Sequence, residues 1–150
     1  MKKLLTAAIA AGMMMTATTA LASLPSEEIA IGGIAPGATV EEAKTAFGAP
    51  VFEKKNGMTF GNGVVIDTKK KAPGIVHEIE ADEHCAAATP AGVKVGMSAD
   101  VLSEKYGEAD RVEIEFGDTE YKYYSHDGQL KMEFEVENGI ITKIECEIRD

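Results

Sequence analysis

The densest group of side chains suited to metal binding or proton transfer lies in one short segment, HEIEADEH at residues 77–84. It contains two histidines and four acids, the residue types that bind divalent cations and transfer protons. Alternation along a strand would divide these side chains between two faces, and no ligand spacing such as HExxH is present. Two interpretations therefore stay open: a divalent-ion site, and the solvated acidic end of a strand.

A second group, Ser125-His126-Asp127, contains the residue types of a hydrolase triad. Triad residues meet through the fold rather than as sequence neighbours, and the Gly128 that follows is typical of a turn. The sequence also lacks a phosphate-binding loop, a dinucleotide-binding fingerprint, a CxxC pair and a nucleophile-elbow motif. We therefore predict that the protein is not an enzyme and has no catalytic residue, no resident metal and no cofactor.

Strands are predicted in the C-terminal part of the chain, where apolar and polar side chains alternate. The alternating segments, separated by turn signals such as Asn138-Gly139, are residues 112–116, 120–125, 130–137 and 140–148. This pattern indicates an antiparallel β-meander. The apolar face, which should meet a helix, would carry Val112, Ile114, Phe116, Met132, Phe134, Val136, Ile140, Ile144, Cys146 and Ile148.

The opposite face of this meander would carry acids, lysines and a tyrosine, with no helix over it. It is either a solvated surface of cross-strand ion pairs or a surface that binds another protein. In the second interpretation Tyr124 is the expected anchor, because aromatic side chains dominate interface energetics. The predicted partner-binding residues are Tyr124, Lys122, Glu133, Glu135, Lys143 and Glu145.

Two similar phrases precede the predicted strands, GIAPGATVEEAKTAFGAP at residues 33–50 and GVKVGMSADVLSEKYGEA at residues 92–109. In each phrase a residue suited to cap a helix N-terminus, Thr39 or Ser98, is followed by apolar residues at helical spacing. A glycine then stands where a helix ends. Each phrase therefore predicts one short helix.

The similarity continues into two strands, GIVHEIEA at residues 74–81 and GIITKIEC at residues 139–146. We therefore predict an α+β fold of two tandem repeats, residues 27–84 and 85–150. Each repeat would be a short helix packed on a three- to four-stranded antiparallel sheet.

The two helix phrases and the two strands resemble the repeat of the β-lactamase inhibitory protein and of the SmpA/OmlA (BamE-like) module. The resemblance implies an exported, non-enzymatic binding module whose tandem copies present a concave sheet to a partner protein. It transfers no inhibitory residue, because the contact positions are not part of the shared motif. The partner's identity is not implied either.

The first 22 residues are typical of a secretory signal peptide. Lys2 and Lys3 precede an apolar stretch, and Ala20-Leu21-Ala22 supplies the small residues required for cleavage. Because no cysteine stands at the cleavage point, we expect no membrane anchor after signal cleavage. The expected location is the periplasm or the outside of the cell.

Charge and cysteine content narrow the function further. The formal net charge of −10 argues against a nucleic acid or an anionic membrane as partner and favours a basic one. An even count of two cysteines, Cys85 and Cys146, in a chain predicted to be exported favours one disulfide over two free thiols or a metal pair.

We predict an exported protein-binding module, inhibitor-like by the resemblance. The alternatives are a small periplasmic divalent-ion- or ligand-binding protein and a structural envelope component.

Overall fold

The computed structural model describes residues 24–150, so the predicted signal peptide at residues 1–22 lies outside the described residues. Eight antiparallel strands form one sheet in the order β1-β2-β3-β4-β8-β7-β6-β5. The strands are β1 Phe52–Lys54, β2 Gly57–Thr59, β3 Val64–Lys69, β4 Ala72–Ala81, β5 Arg111–Glu115, β6 Asp118–Tyr124, β7 Leu130–Glu137 and β8 Ile140–Ile148. The helices are a 3-10 turn at Ser26–Glu28, α1 Val40–Phe47 and α2 Asp100–Tyr106. Within this part of the chain no helix has the length and apolarity to cross a membrane.

The predicted pair of separate helix-on-sheet repeats is wrong. Strand β4 pairs directly with β8, which joins two four-stranded meanders into one continuous sheet. Ile79 and Cys146 face each other at this junction and both are fully buried. The halves share a core because a unit of about 60 residues buries too little apolar surface for a comfortable core of its own. The predicted division between residues 84 and 85 falls in the connection between β4 and α2.

The two similar sequence phrases correspond to similar local contacts within this single sheet. The Gly37 N–H donates to the carbonyl of Val76, and the Gly96 N–H donates to the carbonyl of Ile141, both at 2.8 Å. The two glycines have φ angles of 94° and 92°, a region that side chains strongly disfavour. The phrases are alike because each loop ties a helix to a strand through the same glycine geometry.

The two helices begin differently. Thr39 accepts a hydrogen bond from the Glu42 N–H, and the Glu42 carboxylate accepts one from the Thr39 N–H, which forms the capping box that precedes α1. The prediction that Ser98 caps the second helix is wrong, because α2 starts one residue later and Ala99 occupies the N-cap position. Ser98 Oγ accepts only a long bond of 3.4 Å from the Asp100 N–H.

One face of the sheet forms the core with both helices and the N-terminal segment. The strand register aligns buried apolar side chains across the sheet in two rows: Met58, Ile66, Ile79, Cys146, Met132 and Tyr123, and then Val64, Ala81, Ile144 and Phe134. Helix α2 contacts this face through Tyr106, whose ring centroid lies 5.4 Å from that of Tyr123. Helix α1 contacts it through Phe47, 5.5 Å from Phe60.

The prediction that the apolar residues of β5 meet a helix is wrong. Val112 and Ile114 are 50% and 74% exposed, and Phe116 is fully exposed. The cause is position, because β5 is the outermost strand and α2 packs on β6 and β7. Ile140, at the start of β8, is also exposed. Alternation predicted the face correctly for β7, where Met132, Phe134 and Val136 are all buried.

The predicted disulfide is wrong as well, because both cysteines are buried free thiols. Cys146 lies in the core row of β8 between Ile79 and Met132. Cys85 lies after β4, where its Sγ accepts a hydrogen bond from the Ala87 N–H at 3.4 Å. Burial raises the pKa of both thiols, and this disfavours the thiolate that disulfide formation or metal binding requires.

Candidate functional site: the charged sheet face

All of the predicted partner-binding residues lie on the face of the sheet opposite the core. The register aligns its side chains in three rows: Lys122, Glu133, Glu145 and Glu80; Tyr124, Lys131, Glu147 and Glu78; and Glu113, Glu120, Glu135 and Lys143. We call these twelve residues the charged face. Besides Tyr124, it consists of eight glutamates and three lysines. None of the described helices packs on it.

Alternation along each strand explains why these side chains share a face, since the residues between them lie on the core side of the sheet. The charged side chains cover one another, so that Lys122 and Glu133 retain side-chain exposures of only 16% and 10%. Ion pairs that are this dense and this poorly solvated are stronger than isolated pairs on an open surface.

Lys122 is surrounded by three glutamates. Its Nζ lies 2.6 Å from Glu113, 2.9 Å from Glu120 and 3.6 Å from Glu133. Burial alone would lower the pKa of Lys122, but hydrogen bonds with Glu113 and Glu120 and the charge of Glu133 outweigh it and raise that pKa. Lys122 is therefore a permanent cation within a ring of carboxylates.

The other two lysines repeat this arrangement. Lys131 lies 2.9 Å from Glu133, 3.3 Å from Glu145 and 2.9 Å from Glu147, and Lys143 lies 3.2–3.6 Å from Glu80, Glu135 and Glu145. Burial again lowers the pKa of both lysines, but the surrounding carboxylates raise it by more. Each lysine is thus shared among three acids, which leaves negative charge in excess.

Glu78 shows where this excess is greatest. No ion pair found within residues 24–150 includes its carboxylate. Burial raises the pKa of Glu78 to about 8, with further contributions from a hydrogen bond with Glu80 and from the charges of Glu145 and Glu147. Its cross-strand neighbour on β3 is another acid, Asp67. A proton or an external cation is therefore favoured at this position.

Two groups of carboxylates on the charged face are close enough to hold a cation. One oxygen each from Glu78, Glu80 and Glu145 lies within 4.8 Å of the others, and Glu120, Glu133 and Glu135 form a similar group. Carboxylate oxygens are the ligands that Ca²⁺ prefers.

The HEIEADEH segment does not assemble as a single site. Its two strand glutamates, Glu78 and Glu80, join Glu145 of β8, whereas His84 lies in the loop after β4 beside Glu83. Sequence reasoning missed Glu78, Glu80 and Glu120 as members of the charged face. The signal for the first two was the alignment of GIVHEIEA with GIITKIEC, in which Glu78 and Glu80 fall on Lys143 and Glu145 of the predicted face.

Tyr124 is the aromatic residue of the charged face. The guanidinium carbon of Arg149 lies 4.4 Å from its ring centroid, and its N–H donates to the Asp110 carboxylate at 2.8 Å. The neighbouring tyrosines lie on the other face, where Tyr123 is buried and its hydroxyl donates to the Gly107 carbonyl at 3.2 Å. Tyr124 and Arg149 thus form a cation–π pair at one edge of the charged face.

The Ser125-His126-Asp127 group lies in the loop between β6 and β7. Ser125 Oγ donates to the Asp127 carboxylate at 2.6 Å and accepts from the Leu130 N–H at 2.9 Å. The bond from Ser125 also lowers the pKa of Asp127. Both side chains therefore hold the loop in shape.

Comparison with known proteins identifies solved structures with a similar fold. No protein-family model and no curated protein matches the chain at a significant level. A solved structure of a DUF4309 family protein, YjgB, from Bacillus subtilis is similar with a TM-score of 0.51 and 17% identity, over 85% of this chain and 88% of that one. A cysteine-rich secretory protein from Staphylococcus aureus is similar with a TM-score of 0.49 and 11% identity, over 85% of this chain and 48% of that one.

The expected resemblance to the β-lactamase inhibitory protein and the SmpA/OmlA module is therefore corrected. The similar structure of YjgB is of another kind, and the strands join in a single sheet rather than in two tandem units. The short phrases that suggested the resemblance encode a glycine-anchored helix, which is a local feature. At this level of identity the similarity to YjgB shows the fold alone.

Proposed function

We propose that this protein is an exported, non-enzymatic binding module whose charged face takes a basic surface of another protein. The observation that supports it best is the excess of carboxylates on that face, eight glutamates against three lysines and Arg111, which lies beside Lys122 and contacts Glu113. Each lysine already contacts three carboxylates. Incoming Lys or Arg side chains would supply the missing positive charge.

The rigidity of the face favours a protein partner over a loosely held counterion. Its side chains are fixed by cross-strand ion pairs, so little side-chain entropy remains to be lost on binding. Complementary charge also accelerates association and orients the partner. Export is supported by the signal-peptide pattern of residues 1–22.

Tyr124 is the proposed anchor of this surface. It lies at the edge of the charged face and already holds one guanidinium, that of Arg149. A partner arginine could stack on the same ring or replace Arg149, because planar cations bind aromatic faces well.

The test is capture of a partner from an envelope extract by the immobilised protein, followed by measurement of its affinity. We expect Tyr124→Ala combined with Glu135→Lys to weaken binding by about tenfold or more, since several favourable contacts are lost or reversed. Glu133→Lys is a less suitable variant, because Glu133 contacts both Lys122 and Lys131 and its reversal would disturb the fold.

A matched control is Glu104→Lys, which makes the same charge change on the exposed part of α2. It should leave the affinity within about twofold of the unmodified protein, apart from a general screening effect. Binding that survives the double variant, or that falls equally with the control, would show that the charged face is not the site.

The alternative function, binding of a divalent ion, is favoured by one observation, the grouped oxygens of Glu78, Glu80 and Glu145. Thermal unfolding with and without millimolar Ca²⁺ separates the two functions. A calcium-dependent rise in melting temperature that disappears in Glu78→Gln would support ion binding, since a ligand stabilises the state that binds it. The protein-binding function predicts no such rise.

A further inference from the structure

The outer edge of β5 is open to another strand. β5 is the last strand of the sheet, and within residues 24–150 nothing pairs with its outer side. Such an edge exposes backbone N–H and C=O groups, and natural proteins protect it with charged side chains, above all lysine, or with proline, bulges or very short length. β5 has five residues, RVEIE, with neither lysine nor proline, and it pairs with β6 without a bulge. Its charges are of both signs, Arg111 with Glu113 and Glu115, so they do not repel a strand of complementary charge. At the other edge, β1 has three residues and includes Lys54.

The core-side face of β5 is apolar and uncovered. Val112 and Ile114 are exposed there, and Phe116, in the turn that follows β5, is exposed as well. Val112 also lines a groove of about 320 Å³ between α2 and the β5–β6 hairpin, together with Ala109 and Tyr121. Contiguous exposed apolar surface of this kind marks interaction sites in soluble proteins.

Phe116 is at a position where local stability favours a different residue. The β5–β6 and β7–β8 hairpins both have two-residue turns, Phe116-Gly117 and Asn138-Gly139, with φ near 50° at each first position. Asn-Gly is the favoured sequence for such a turn, whereas a bulky residue in the left-handed region is strained. The side chain of Phe116 is fully exposed, so no contact within the described residues compensates for this strain.

We propose that β5 pairs antiparallel with β5 of a second copy of this chain, forming a two-fold symmetric dimer with a continuous sheet. The strand is self-complementary about Glu113. In that register Arg111 lies opposite Glu115 of the second copy, and Val112 lies opposite Ile114. Two ion pairs then form on one face and two apolar pairs on the other, both of which stabilise antiparallel strands.

The like-charged pair at the centre is compensated within each copy, because Glu113 contacts both Lys122 and Arg111. A register shifted by two residues in one direction would place Glu113 opposite Glu115 twice and leave Arg111 opposite a glycine, which charge disfavours. The opposite shift would pair Arg111 with Glu113 but would place Ile114 opposite Asp110, so the two Val112–Ile114 pairs would be lost. The register centred on Glu113 is therefore favoured. There, Phe116 lies opposite Asp110 of the second copy, next to Ala109 at the groove. The inference goes beyond the proposed function, since it uses the strand edge rather than the charged face.

The first test is the oligomeric state of the protein purified after expression of the full chain, measured by sedimentation velocity over a range of concentrations. We expect a monomer–dimer equilibrium. Phe116→Asn should raise the dissociation constant by about tenfold or more while raising the melting temperature of the monomer, because it installs the favoured turn sequence. This variant is expected to fold better, so loss of the dimer would not reflect misfolding.

The second test is a charge exchange that reports the register. Arg111→Glu and Glu115→Arg should each weaken the dimer, because each places like charges opposite one another, and the double variant should restore it. Phe52→Asn, on exposed β1 at the other edge, serves as the control and should have no effect. A protein that is monomeric at every concentration would overturn the proposal. So would a double variant that dimerises no more tightly than the single ones, or a dimer that Phe52→Asn abolishes.

Discussion

At the scale of single residues, the charged face depends on how few cations serve many carboxylates. Lys131 alone contacts Glu133, Glu145 and Glu147, so removal of this one side chain would expose three acids to mutual repulsion. Glu78 has no such cation within the described residues, and burial together with the neighbouring acids Glu80, Glu145 and Glu147 raises its pKa. The surface is therefore most sensitive to pH at the β4–β8 junction.

Glu78→Gln is expected to alter the pH dependence of stability. The pKa of Glu78 rises from an unperturbed 4.5 to about 8 on folding, so the folded state holds more protons than the unfolded state between these values. The stabilisation of the folded state by protonated Glu78 is therefore fully present below pH 4.5 and is lost as the pH rises through 8. In thermal melts, the melting temperature of Glu78→Gln minus that of the unmodified protein should increase from pH 5 to pH 9.

The control for this prediction is Glu104→Gln, which removes an exposed carboxylate from α2. Its melting temperature should differ from that of the unmodified protein by a nearly constant amount from pH 5 to pH 9. A constant difference for Glu78→Gln as well would contradict the raised pKa.

At the scale of elements, most local signals were read correctly from the sequence, with the Ser98 cap as an exception, and non-local ones were not. The Thr39 N-cap and the Asn138-Gly139 turn involve residues within three positions of each other, and both predictions are confirmed. The alternation of β7 predicted its buried face correctly because β7 lies inside the sheet, between β8 and β6, where α2 packs on it. For Ile114 the same alternation predicted burial wrongly, because the extent of α2 over the sheet is a tertiary property.

Helix capping provides a prediction at this scale. Thr39→Ala should reduce the free energy of unfolding by about 1 kcal/mol, the usual cost of removing an N-cap hydroxyl, because it breaks a complete capping box. Ser98→Ala should reduce the free energy of unfolding by clearly less, since Ser98 is not the N-cap and its hydrogen bond from the Asp100 N–H is long. Urea denaturation measures both, and equal losses would contradict the difference between the two helix starts.

At the scale of the whole molecule, the β4–β8 junction decides the architecture. The sequence indicated the two halves through repeated phrases, but nothing in those phrases predicts that GIVHEIEA and GIITKIEC pair with each other. That pairing aligns Ile79 with Cys146 and Glu80 with Glu145. It thus creates one buried face and one charged face that both cross the junction. Core and candidate site are therefore properties of the joined sheet.

A single core implies a single unfolding transition, and the tyrosines allow this to be measured. All four tyrosines, Tyr106, Tyr121, Tyr123 and Tyr124, lie in the C-terminal half, and the chain has no tryptophan. Tyrosine fluorescence therefore reports the C-terminal half, whereas circular dichroism reports the whole sheet. Ile66→Val removes one methyl group from Ile66, a fully buried residue of β3 in the N-terminal half. It should reduce the free energy of unfolding by about 0.5–1.5 kcal/mol.

If the sheet unfolds as one unit, Ile66→Val will shift the fluorescence and dichroism transitions by the same amount. The mutation then acts across β4, β8 and β7 on the tyrosines of β6, four strands away in the sheet order. If the halves were independent, the tyrosine transition would stay unchanged and the dichroism would separate into two steps. Coincident shifts are expected, because the row that includes Ile66 continues without interruption through Ile79, Cys146 and Met132 to Tyr123.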